Sequence, residues 1–157
     1  MSTGIGWDAH RLVVDRPLIL GGVRLEHDRG LEGHSDADVL THAIIDAMLG
    51  AAGLGDIGEH FPDTDPRYAG ADSMALLAST VEMLAGSQLR VAHVDTTVLM
   101  ERPKLAPVRA RIRERLAAAL ELPLVHVNIK ATRGEGMGFI GRAEGVAALA
   151  VVTVEPT

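Results

Sequence analysis

The sequence contains no cysteine. That excludes disulfides, thiolate metal ligands and cysteine nucleophiles together, and a cysteine-free small domain fits a cytoplasmic setting. Aromatic residues make up only 3% of the chain: Trp7, Phe61, Tyr68 and Phe139. The core must therefore be aliphatic. Platforms for stacking bases are nearly absent, which argues against single-stranded nucleic acid. Basic residues are outnumbered, 15 Lys and Arg against 21 Asp and Glu, for a net charge of -6. A nucleic-acid binder would carry a basic surface, so that class is disfavoured. The start, MSTGIGWDAH, has no basic segment leading into an apolar run, so it does not read as a signal peptide. The longest apolar stretch, Val146 to Val152, is far too short to span a bilayer.

What is present fits an ordinary soluble domain. The 157 residues are 47% hydrophobic and 23% charged, with no linker-like shift of composition and no internal repeat, so residues 1–157 read as one domain. Strands are expected over Ser2 to His10, Leu18 to Leu25 (broken near Gly21-Gly22), Arg90 to Met100, Val125 to Ala131 and Glu144 to Glu155. Helical periodicity runs over Asp36 to Ala52 and Asp72 to Gly86. A third helix is expected from Pro107, at its first position, to about Leu120. Ser35 followed by Asp38 suggests a capping box for the first helix. Arg109, Arg111, Arg113 and Arg115 read as the solvated side of the third. The expected fold is an α+β sandwich: a mixed four-stranded sheet, helices on one face, and a short hairpin.

Four constellations carry chemistry. Asp8 and His10 lie two apart in a strand, so they share a face, and both are zinc-type ligands. Alone, this pair is more often a surface Asp beside a satisfied His. His34 and Ser35 precede a helix, where unpaired N–H groups favour phosphate. His42 follows with Asp38 and Asp46 four residues to either side, a spacing that lets a carboxylate orient the imidazole. The loop from Gly55 to Tyr68 is rich in ionisable groups; Asp56 and Asp63 either hold diol hydroxyls or close turns. Lys130 to Glu135 follows a strand and runs into Gly136, Gly138 and Gly141. Backbone there can approach phosphates, and Glu135 can offer oxygen to Mg²⁺. The set points to metal-assisted phosphoryl chemistry without naming a substrate.

Four blocks, GIGWDAHRL, LEGHSDADVLTHAIIDAMLGAAGLGDIGEHFPDTDP, MERPKLAP and NIKATRGEGMGFIGRAEGVA, resemble the signature blocks of the 2-C-methyl-D-erythritol 2,4-cyclodiphosphate synthase family, in family order and over essentially the whole chain. The resemblance implies a metal-dependent lyase of the non-mevalonate isoprenoid pathway. It implies a homotrimer with active sites between protomers and one Zn²⁺ per site on Asp8, His10 and His42. It places His34 and Ser35 at the substrate 2-phosphate. Asp56, Ile57, Gly58 and the stretch Phe61, Pro62, Asp63, Thr64, Asp65 fall at the erythritol hydroxyls. Met100, Glu101, Arg102, Pro103, Lys104, Leu105 and Ala106 of the adjacent chain would form the cytidine pocket. Thr132 and Glu135 would face the diphosphate, Glu135 with Mg²⁺ or Mn²⁺, and His34, Arg133 and Glu135 would form the catalytic set. Phe139, Arg142 and Glu144 match residues lining a central cavity that in this family can hold an isoprenoid diphosphate. The sequence departs from the family where two threonines usually follow Thr132; here they are Arg133 and Gly134. The Arg133 guanidinium either supplies charge to phosphate oxygens or points to solvent and leaves that role to Thr132 or backbone. The rival reading is a nonenzymatic trimeric module that binds isoprenoid diphosphates.

Overall fold

A computed structural model describes residues 1–157. Its elements are β1 (Ser2–Val13), β2 (Leu18–Leu20), β3 (Val23–Leu25), β4 (Gly30–Leu31), α1 (Val39–Ala52), α2 (Ile57–His60), α3 (Ser73–Gly86), β5 (Leu89–Leu99), α4 (Arg109–Ala119), β6 (Val127–Thr132), α5 (Gly138–Gly141) and β7 (Gly145–Pro156). The sheet has five strands, not four, in the order β4-β1-β7-β5-β6; β2 and β3 form a separate hairpin. The extra strand is only two residues, Gly30 and Leu31, outside every strand and helix expected from the sequence, paired through Leu12–Leu31 and Val13–Gly30. The sheet is mixed as expected: β5 and β6 run parallel and the other pairs antiparallel. No helix is long and apolar enough to cross a membrane.

The helices cover one face, and α1 lies against β1 and β7. Two glycines set that approach. A Cβ at Gly4 would overlap Ala47 O, and one at Gly6 would overlap Ala43 O, so helix backbone rests directly on strand backbone. Alternation along β1 then sends Asp8 and His10 to the helix side and Ile5 and Trp7 to the other. That other face is bare: Ile5 is 67% and Trp7 56% exposed. The aliphatic core lies between the layers, with Leu40, Ile44, Met48, Leu77, Ile112, Leu116, Val94, Val98 and Val152 among its buried members.

Three local expectations are corrected. Helix α1 starts at Val39, and its cap is Asp38 rather than Ser35; Asp38 Oδ1 accepts from Thr41 N. The same buried carboxylate accepts from Gly21 N and Gly22 N, at 2.9 and 2.7 Å, so it also fixes the hairpin turn. Helix α4 starts two residues after Pro107, with Val108 as an uncapped entry. Arg113 does not belong to a solvated side. Its guanidinium donates to Val127 O and Leu124 O, each at 2.6 Å, and ties α4 to the start of β6.

Candidate functional site

β1 brings Asp8 and His10 to the helix side of the sheet, and the first turn of α1 brings His42 over them. Asp8 Oδ2 lies 2.8 Å from His10 Nε2 and 3.1 Å from His42 Nδ1. The two ring nitrogens are 3.4 Å apart. All three side chains are mostly shielded, with 28%, 20% and 12% exposure for Asp8, His10 and His42.

The hydrogen-bond partners behind the rings fix which nitrogen carries a proton. Glu32 O, an acceptor only, sits 2.8 Å from His10 Nδ1, so Nδ1 donates and Nε2 keeps its lone pair. His42 Nε2 lies 2.8 Å from Ser73 Oγ. The Ser73 hydroxyl donates in a very short bond to Asp36 Oδ1, which leaves its own lone pair for the His42 Nε2–H. His42 Nδ1 is then the free acceptor. Three lone pairs therefore converge within 4.8 Å of one another. A tetrahedral Zn²⁺ with nitrogen ligands at about 2.0–2.1 Å spans edges of roughly 3.3 Å, so the triad fits such a cation. Burial pushes the Asp8 carboxyl up, but hydrogen bonds and charge from His10 and His42 outweigh it and hold it well below the carboxylate range. Burial pushes the His10 imidazolium down, yet the Asp8 hydrogen bond and charge leave it raised. A site that draws positive charge this strongly is one a divalent cation can use.

Sequence spacing pointed to Asp38 and Asp46 as partners of His42; neither takes that role. Asp38 is consumed by its caps, and Asp46 Oδ1 accepts from Ile57 N. Ser73 and Asp36 do the work instead, and sequence reasoning missed both. Removing the Ser73 hydroxyl leaves His42 Nε2 only the longer contact to Ser35 Oγ, at 3.3 Å, and loosens the hold on the tautomer. Ser73→Ala is expected to weaken Zn²⁺ binding about 10- to 100-fold with the fold intact. A competitive chelator titration reads this directly; unchanged affinity would remove Ser73 from the site.

The triad opens into a pocket of about 460 Å³ lined also by His34, Ser35, Ile57, Gly58, Phe61, Pro62 and Asp63. Asp56, Thr64 and Asp65 do not line it. Asp56 caps α2 through Glu59 N at 3.0 Å. Asp65 closes the turn Pro66–Tyr68 and pairs with Arg67 at 2.6 Å, whose hydrogen bond holds its carboxyl low. Both are turn-closing carboxylates in this chain.

A second pocket, about 220 Å³, is lined by Met100, Glu101, Pro103, Lys104, Leu105 and Ala106 with Thr132 and Arg133; Arg102 lies outside it. Glu101 Oε2 accepts from Gly134 N at 2.9 Å and closes the loop over this pocket. Arg133 Nη2 is 3.3 Å from Glu135 Oε1, an exposed ion pair. A third concavity, about 570 Å³, takes Arg11, Arg29, Phe139, Arg142 and Glu144. The first two pockets share no lining residue. Alternation along β6 buries Val127 and Ile129 on the helix side, so Thr132 lies on the opposite face from the triad. β6 is also three strands from β1, roughly 14 Å at the usual strand spacing.

The model of the YgbB family matches residues 1–155. The chain belongs to the YgbB family. A 2-C-methyl-D-erythritol 2,4-cyclodiphosphate synthase of Syntrophobacter fumaroxidans is 57% identical over 152 residues, covering 97% of this chain and 96% of the relative. The synthase of Salinibacter ruber is 57% identical over 155 residues, 99% of each. Among solved structures, a cyclodiphosphate synthase in its CDP-bound form superposes with a TM-score of 0.90 at 35% identity, covering 98% of this chain and 99% of that one. The bifunctional IspDF from Campylobacter jejuni gives a TM-score of 0.96 at 42% identity; this chain spans 99% of itself but only 42% of that longer protein. In this YgbB-family member the triad stands intact, while Arg133 and Gly134 give the loop after β6 its own chemistry.

Proposed function

We propose that the protein converts 4-diphosphocytidyl-2-C-methyl-D-erythritol 2-phosphate to 2-C-methyl-D-erythritol 2,4-cyclodiphosphate and CMP. The observation that carries this reading is the convergence of three lone pairs, from Asp8, His10 and His42, in the same pocket as His34 and Ser35. The 2-phosphate oxygen forms a bond to the β-phosphorus, the bond from that phosphorus to the bridging oxygen breaks, and CMP leaves with that oxygen. The nucleophile is already an anion, so no general base is required. Positioning and charge stabilisation are what the chain must supply.

His34 and Ser35 hold the 2-phosphate, and Asp63 with the Ile57–Gly58 backbone holds the erythritol hydroxyls. The Met100–Ala106 pocket takes the cytidine, and Thr132 and Arg133 face the diphosphate. Zn²⁺ on the triad supplies Lewis-acid polarisation of phosphate oxygens when bound. Glu135 offers one oxygen to Mg²⁺ or Mn²⁺, whose remaining ligands would be water and substrate. The two pockets share no lining residue, and β1 and β6, which anchor them, lie three strands apart, so one substrate molecule would be served by two chains, which supports a homotrimer with sites between protomers. The bare sheet face bearing Ile5 and Trp7 is the apolar surface such an assembly would cover. The Phe139, Arg142 and Glu144 concavity is assigned to an isoprenoid diphosphate in the assembled cavity.

Phosphorus NMR of the zinc- and magnesium-loaded protein with the cytidylyl substrate tests the reaction. CMP with two mutually coupled cyclic-diphosphate signals is expected. A linear hydrolysed product, or no turnover by a metal-loaded assembly, would overturn the cyclase reading.

A further inference from the structure

We propose that a basic groove outside the active site binds a multivalent phosphate group, a di- or triphosphate. The groove is a concavity of about 840 Å³ lined by Arg16, Arg24, Lys104 and Arg111, with Glu26 its single carboxylate. The whole chain carries a net charge of -6, so four cations against one acid in one concavity reverse the sign of the molecule locally. They come from four separate segments: the turn after β1, strand β3, the loop before α4, and α4 itself. No run of basic sequence announces them. Folding assembles the charge, and a concave wall of one sign concentrates its field.

The cations have capacity to spare. Arg24, Lys104 and Arg111 take part in none of the ion pairs of the chain. Arg16 is held in place from behind: Nε donates to Leu31 O at 3.0 Å and Nη2 to Ser35 O at 2.9 Å. A guanidinium already fixed loses little freedom on binding an anion. His27 also lines the groove, and its Nε2 is shielded from solvent without a hydrogen-bond partner. Asp28 Oδ1 lies 3.3 Å from that nitrogen, outside hydrogen-bond geometry. Pro17, Pro103 and Pro107 give the groove stiff walls, and no Phe, Tyr or Trp lines it to offer a base a stacking platform. Recognition is therefore of phosphate, not of a nucleobase. Lys104 and Pro103 form the boundary with the Met100–Ala106 pocket, so the two sites adjoin without coinciding.

The test is calorimetric titration with inorganic tripolyphosphate at low salt, first alone and then with saturating CDP. One equivalent per chain is expected in both, with affinity falling as salt rises. The double variant Arg24→Gln/Arg111→Gln is expected to weaken tripolyphosphate binding at least tenfold while CDP binding and the thermal midpoint hold. ATP is expected to match tripolyphosphate within a few-fold. No binding at low salt, equal affinity in the double variant, loss of binding when CDP is present, or a preference for ATP above tenfold would each overturn the proposal.

Discussion

His42→Ala is expected to abolish both Zn²⁺ retention and cyclisation, with turnover down by about 10³-fold or more. Asp8 and His10 remain 2.8 Å apart and satisfy one another as an ion pair once the third ligand is gone. Two ligands on one strand cannot enclose a tetrahedral ion. His42 is the only one of the three donated by the helical layer, so its loss removes the far side of the site. Elemental analysis of the purified variant reads the metal, and the phosphorus NMR assay reads the reaction. His93→Ala is the control, because His93 touches no part of the site and packs against the His126 ring at 6.1 Å. Zinc at one equivalent in His42→Ala would refute the ligand assignment, whatever the activity.

Gly6→Ala is expected to destabilise the protein by about 3 kcal/mol or more. The added methyl meets Ala43 O and crowds Ala47 N, which are helix backbone and cannot rotate away. The helix must lift from the strand, and His42 lifts with it. Zinc affinity should fall together with the urea midpoint. Gly50→Ala in the same helix is the matched comparison. A Cβ there meets nothing within 4 Å, so the change should stabilise by up to about 1 kcal/mol through helix propensity. If Gly6→Ala unfolds at the wild-type urea concentration, the close contact is not what holds the layers in register.

These two variants also show what could be read from the chain beforehand. The period of two in β1 puts Asp8 and His10 together, and helical periodicity puts His42 near the start of α1. What periodicity cannot show is which helix face meets which strand. Gly4 and Gly6 decide that, and in a sequence they resemble any other glycines. The supports of His42 were illegible for a related reason. Ser73 lies 31 residues further on, at the start of another helix, and no local spacing links it to Asp36. Local patterns misled where one residue had long-range duties: Asp38 reads as the third position of a box, but the hairpin amides of Gly21 and Gly22 claim it as the cap itself. The fifth strand is two residues long, too short for alternation to register. Asp56 and Asp65 lie in the loop beside the pocket; one oxygen of Asp56 caps α2, and Asp65 closes a turn and pairs with Arg67, contacts that no spacing in the sequence announces.

The only tryptophan of the chain sits on the uncovered face of the sheet. With one indole and one phenol in 157 residues, ultraviolet emission from this protein is in effect the emission of Trp7. Covering that face moves the indole from water into an apolar contact, a change fluorescence reports as a blue shift without any label. Dilution of the ligand-free protein followed at a single wavelength thus becomes a label-free test of whether chains associate over that face, and because Trp7 also borders the triad's pocket the same emission reads occupancy of the site.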